Sequence, residues 1–179
     1  MPQRAARPYT CRMEANVAIR SAVLADCAVI SDIYNHYVLN DTCTYQEVPD
    51  LIEDRAKWFR HHGPQHPVIV AEAGGRVVGW ASLSPYHPRT AYRFTVENSI
   101  YLHPDWRRRG IGRLLLQELI DSAKALGYRA IIAVISSEQT GSITIHENFG
   151  FVEVGRFKKI GFKFSKWLDV VYLQLDLRP

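Results

Sequence analysis

No run of roughly 18 or more consecutive apolar residues occurs in this 179-residue chain, which excludes an ordinary membrane-spanning helix. Cysteine is scarce. Cys11, Cys27 and Cys43 are an odd number, crowded into the first quarter and without a Cys-x-x-Cys pair, which argues against a disulfide framework or a zinc knuckle. An excess of one charge is missing too. The 22 Lys and Arg against 18 Asp and Glu leave +4, with a pI near 9.0. That balance suits a small anionic ligand but is too weak and too dispersed for a nucleic-acid surface. Met1–Asn16 carries Arg4, Arg7 and Arg12 but no apolar h-region, so it reads as a disordered extension and not as a secretory signal. The cytoplasm is the expected compartment. No Gly-Lys-Ser/Thr ends a P-loop, and no Gly-x-Gly-x-x-Gly marks a dinucleotide fold.

What remains is ordinary globular material, 47% hydrophobic and 22% charged, read as one domain over residues 17–179. A strand is predicted over Val17–Ala22, then a helix capped by Asp26 with Val29, Ile30, Ile33, Tyr34 and Tyr37 on its apolar side. Pro49-Asp50 opens a second helix through Arg60, with Leu51, Ile52, Arg55, Trp58 and Phe59 at helical spacing. Val68–Ala73, Gly74-Gly75 and Arg76–Leu83 form a hairpin signature. A strand over Thr95–Leu102 precedes a helix marked by Ile111, Leu115, Leu119, Ala123 and Leu126 and stopped by Gly127. Ala130–Ile135 reads as a buried strand, about Gly141–Phe149 as a short helix, and Phe151–Phe157 and Val170–Leu177 as the last strands. The order β-α-α-β-β-β-α-β-α-β-β describes a mixed, mostly antiparallel α/β sheet flanked by helices.

Between the fourth strand and the third helix lies Arg107-Arg108-Arg109-Gly110-Ile111-Gly112. Glycines at a helix start let the backbone approach a ligand, while unpaired N–H groups and the helix dipole favour phosphate. The arginines add donors suited to a polyphosphate. The plain alternative is a solvated basic turn.

Two residues stand out for chemistry. Alternation sets Thr95, Glu97, Ser99 and Tyr101 on one face of their strand, and Val96, Asn98, Ile100 and Leu102 on the other. A carboxylate in mid-strand is costly unless paired or functional. Glu97 is therefore either a base with a raised pKa or the partner of Arg93 or Lys163. His146 is either a proton carrier or a helix histidine holding a backbone carbonyl. His61, His62 and His66 point different ways at a helix end with no carboxylate spaced to join them, so no metal is expected.

Arg-x-x-Gly-x-Gly after a strand, together with the element order, resembles the GNAT family of N-acetyltransferases from Val17 to Leu177. Within it, the chain is similar to the phosphinothricin and methionine-sulfoximine acetyltransferases. That likeness rests on Ile33-Tyr34-Asn35-His36-Tyr37, Thr95–Leu102, His146-Glu147-x-x-Gly150-Phe151, Gly161-Phe162-Lys163-Phe164-x-x-Trp167-x-Asp169 and Gln174-Leu175-Asp176. The resemblance implies the GNAT fold and acetyl-CoA as co-substrate without a metal. It implies Glu97 as base and His146 where many relatives carry a tyrosine acid. Ile100, Tyr101 and Leu102 would hold the pantetheine arm, Arg107, Arg108, Arg109, Gly110, Ile111, Gly112 and Arg113 the pyrophosphate, and Gln139 and Asn148 the far side of the cleft. Gln139 stands where the family has Asn. Tyr86-His87-Pro88-Arg89 replaces a Trp-Arg-Pro run, so His87, Pro88 and Arg89 join Glu97, Asn98 and Ser99 as substrate-binding candidates. The implied reaction is direct acetyl transfer to the α-amine of a small amino acid or glutamate-like analogue, by a homodimer. Rivals are an acetyltransferase for ordinary amino acids or polyamines, and a silent CoA-binding regulatory module.

Overall fold

A computed structural model describes residues 16–178; the extension expected over residues 1–16 lies, but for Asn16, outside them. Its elements are β1 (Val17–Ser21), α1 (Cys27–Asn40), α2 (Ile52–His62), β2 (Val68–Ala73), β3 (Arg76–Pro85), β4 (Thr95–Leu102), α3 (Ile111–Ala125), β5 (Ala130–Ser136), α4 (Thr140–Asn148), β6 (Val152–Lys163) and β7 (Lys166–Asp176). They build one seven-stranded sheet in the order β1-β2-β3-β4-β5-β7-β6. Every neighbouring pair is antiparallel except β4 and β5, as the predicted mixed α/β order requires.

The sheet separates two cores. On one face Ala81, Leu83, Val96, Ile131 and Ala133 pack against Ile111, Leu115, Leu116 and Leu119 of α3. On the other, Val68, Val70 and Trp80 meet Ile30, Ile33 and Tyr37 of α1. Gly74 and Gly75, at φ 57° and 74°, make the β2–β3 turn with the left-handed backbone that glycine tolerates.

Three local expectations change. Asp26 stands at the α1 cap position, but its carboxylate accepts from the Arg20 guanidinium and the Val23 N–H and caps no α1 N–H. Leu51 and Ile52 are exposed, and α2 instead buries Arg55 and His62. The last two strands are longer than predicted and join through Phe164-Ser165, at φ 51° and 60°. Neither residue belongs to the Asn-Gly type that usually announces such a turn, which left the hairpin illegible.

Candidate active site

β4 and β5 are paired only at Thr95–Ala130, Val96–Ile131 and Glu97–Ile132. Beyond Glu97 they part: β5 stays registered with β7 along its whole length to Ser136, and β4 with β3 to Leu102. The edge of β4 facing β5 is thereby left without a strand partner from Asn98 onward, a row of backbone donors and acceptors open to a ligand. A cleft of about 1000 Å³ follows this split and is lined by Glu97, Asn98, Ser99, Ile100, Tyr101, Leu102, Arg107, Arg108, Gly112, Gln139 and His146.

At the α3 end of the cleft, Arg108 (φ 59°) and Gly110 (φ 81°) bend the chain into the helix. The first bonds back to the Gly110 carbonyl come from the Arg113 and Leu114 N–H groups, leaving those of Ile111 and Gly112 without an intrahelical partner. The arginines divide their work. Arg107 donates to the Tyr37 hydroxyl at 3.0 Å and to Asp41 at 3.3 Å, tying β4's end to α1. Arg109 donates to the Asp105 carbonyl and lies 4.7 Å over Trp106, and Arg113 lies over Phe149. Arg108 alone of the four lines the cleft without a hydrogen bond to another described residue.

Glu97 and His146 sit on opposite faces of the sheet, as strand alternation requires. Glu97 shares the α1/α2 face with Tyr101, which packs beside Trp80. It makes neither an ion pair nor a side-chain hydrogen bond with any described residue, so the expected partners Arg93 and Lys163 do not hold it. Lys163 is instead buried and donates to the carbonyls of Asp41 and Thr44, both at 2.8 Å. Desolvation raises the Glu97 carboxyl above the usual 4.5, the direction a base near neutrality needs.

His146, on the α3/α4 face, is held at both nitrogens. Its Nδ1 lies 2.7 Å from the Ser142 carbonyl and its Nε2 2.9 Å from Asn98 Nδ2. A carbonyl only accepts, so Nδ1 carries the proton and Nε2 accepts from the Asn98 amide. Burial pushes the imidazole below 6.5 and keeps it neutral. In this state Nε2 has no proton to give a thiolate. The ring fixes Asn98, which lines the cleft and whose buried Oδ1 has no partner among the described residues.

Other expected site residues lie elsewhere. His87, Pro88 and Arg89 line no part of the cleft; Arg89 is exposed on a loop, where its backbone bonds to His87 and Tyr92 and its guanidinium to no described residue. Asn148 lines a separate hollow beside Lys124 and Arg178. Gln139 is in the cleft but donates to Asp41 at 2.6 Å. The α1/α2 side of the cleft also contains a residue that helical spacing treated as packing. Arg55 is buried, paired with Asp50, and stacked within 4.4 Å of Tyr34 and 4.7 Å of Trp58. The readable signal was an ionisable residue at the centre of a helix face due for burial.

The acetyltransferase (GNAT) family model matches residues 30–151, which span the split strands and the phosphate loop. The chain belongs to this family. It is an acetyl-CoA-dependent N-acetyltransferase, and the open β4 edge and the loop at α3 fit that co-substrate. Similar acetyltransferases include the L-amino acid N-acyltransferase MnaT of Escherichia coli, 38% identical over 90% of this chain and 94% of the relative. The L-methionine sulfoximine/L-methionine sulfone acetyltransferase of Pseudomonas aeruginosa is 39% identical over 92% and 96%. A phosphinothricin acetyltransferase from Sinorhizobium meliloti, solved with acetyl-CoA, superposes with a TM-score of 0.87 at 42% identity, covering 89% of this chain and 88% of that one. In this acetyltransferase no described helix is long and apolar enough to cross a membrane, and no group of His, Cys, Asp and Glu among the described residues could hold a metal ion.

Proposed function

We propose that this acetyltransferase moves the acetyl group of acetyl-CoA to the α-amine of a small amino acid or glutamate-like analogue such as methionine sulfoximine, methionine sulfone or phosphinothricin. The observation that carries the mechanism is Glu97: unpaired, desolvated and at the point where β4 leaves β5. Acetyl-CoA supplies an activated acyl group along the open strand edge, its pyrophosphate held by Arg108 and the free N–H groups of Ile111 and Gly112. The amine enters from the α1/α2 face, and Glu97 takes one proton from the ammonium directly or through water; the neutral nitrogen attacks the thioester carbonyl, the C–S bond breaks, and CoA leaves as a thiolate that takes up the proton the new amide nitrogen sheds. His146 holds Asn98 in place beside the reacting groups.

Transfer is direct. Cys43 is the cysteine lining the cleft among the described residues, and burial and Asp41 push its thiol up to about 12, the opposite of an activated nucleophile. A second reading, acetylation of ordinary L-amino acids, is favoured by the Escherichia coli relative. The protein works as a homodimer in this reading, supported by Phe157, Ile160, Phe162, Phe164 and Trp167, each more than half exposed on β6, β7 and their turn. The decisive assay is acetyl-CoA-dependent thiol release across methionine sulfoximine, methionine sulfone, phosphinothricin, the common L-amino acids and polyamines. Turnover of a polyamine with none of any α-amino acid would falsify the acceptor assignment.

A further inference from the structure

On the α1/α2 face of the cleft three buried hydrogen-bond donors have no partner among the described residues: Arg55 Nε, Trp80 Nε1 and Ser82 Oγ. Arg55 is 4% exposed, Trp80 2% and Ser82 1%. Such groups cost free energy unless a ligand completes them. Trp80 and Ser82 are alternate residues of β3 and share one face, and the Arg55 guanidinium lies 5.6 Å over the Trp80 ring. Asp50 occupies Arg55 Nη2, and itself also receives Gln46, so the guanidinium is held by one edge. Two of the three orphans can only donate and the third can, so the missing ligand is rich in acceptor oxygens.

Register relates these donors to the reacting end. Ser84 pairs with Glu97, Ser82 with Ser99 and Trp80 with Tyr101. Ser82 is therefore one same-face step, about 7 Å, from the position opposite Glu97. An α-amino acid bonded at its amine to Glu97 and at its carboxylate to a donor, with each bond about 2.9 Å long, spans such a step.

We propose that Arg55, Trp80 and Ser82 form the carboxylate subsite of the acceptor, setting its α-amine before Glu97. This rests on the α-amino-acid reading above. It transfers carboxylate recognition from the exposed Arg89 to a residue inside the cleft. With Asp50 on Nη2, the free Arg55 Nε–H offers a carboxylate oxygen one charge-assisted hydrogen bond, and the aromatic enclosure keeps water from competing.

The test uses N-acetylmethionine and its carboxamide, which lack a basic amine and so bind without proton transfer. Each is titrated into the CoA-loaded protein and followed by tryptophan fluorescence. Wild type should bind the carboxylate at least about tenfold more tightly than the carboxamide, the size of one charge-assisted hydrogen bond. Arg55→Lys and, to a lesser degree, Ser82→Ala should move that ratio toward one while CoA affinity stays unchanged. Arg55→Lys could unfold the chain by disturbing the pair with Asp50; Ser82→Ala, which changes no charge, then decides. A wild-type ratio near one, or a folded variant pair that keeps the full ratio, overturns the subsite. Thiol release with free amino acids separately reads the acceptor class, so the two failures are distinguishable.

Discussion

Gly112→Ala should stabilise the fold and weaken acetyl-CoA binding at once. A Cβ built on Gly112 meets nothing closer than Ile145 Cδ1 and Leu102 Cδ1, both at 3.8 Å, an ordinary contact. The protein itself has room for the methyl. Gly112 lies in the first turn of α3, where alanine is the better helix former by up to about 1 kcal/mol, so the melting temperature without ligand should hold or rise. Gly112 also lines the cleft, so the same methyl takes up space near the N–H groups proposed to meet the pyrophosphate. Losing one hydrogen bond to a charged group costs about 1.5–3 kcal/mol, or roughly 10- to 150-fold in Kd. Calorimetric titration of CoA, paired with thermal melts, reads both effects. Gly110→Ala is the contrast: nothing lies within 4 Å of its Cβ, but φ is +81°, so that change should lower the melting temperature. A Gly112→Ala protein with wild-type CoA affinity would refute the proposed approach of phosphate to α3.

Glu97→Gln should cut kcat by roughly 10²–10⁴ with CoA affinity kept. Because the Glu97 pKa is raised in the folded state, its ionised form is the costly one, and the fold loses stability as pH rises from 4.5 through the folded value. The variant should therefore melt higher than wild type near neutrality and converge with it below pH 4.5, and equal melting at both ends would refute the desolvation. His146→Ala and Asn98→Ala should lower kcat non-additively and leave the alkaline limb of the pH–rate profile in place, because they act as one hydrogen-bonded pair; loss of that limb in His146→Ala alone would restore it as the acid. Cys43→Ala should turn over normally and show no acetylated enzyme by mass spectrometry on acetyl-CoA addition, whereas a covalent acetyl-Cys43 in wild type would exclude direct transfer.

Local chemistry carried much of this far. The Gly74-Gly75 turn, the 3.6-residue spacing of Ile111, Leu115 and Leu119, and the alternation of Thr95–Leu102 are properties of neighbours in the chain, so fold order, the glycine-bearing loop before α3 and the face of Glu97 were legible before any packing was known. Side-chain partners were not. Arg107 and Arg108 are adjacent and alike, but one is drawn onto Tyr37 and Asp41 some 66 or more positions earlier while the other remains open to the cleft. His146 reads equally as acid or prop until Ser142 and Asn98 fix its tautomer. Arg55 reads as one more packing position of α2 until the helix lies over Trp80 and encloses its guanidinium there, while Arg89, plausible by loop position, stays in solvent. Burial, register and long-range partners arise only when distant segments meet, and they decided which of the chemically suitable residues line the cleft.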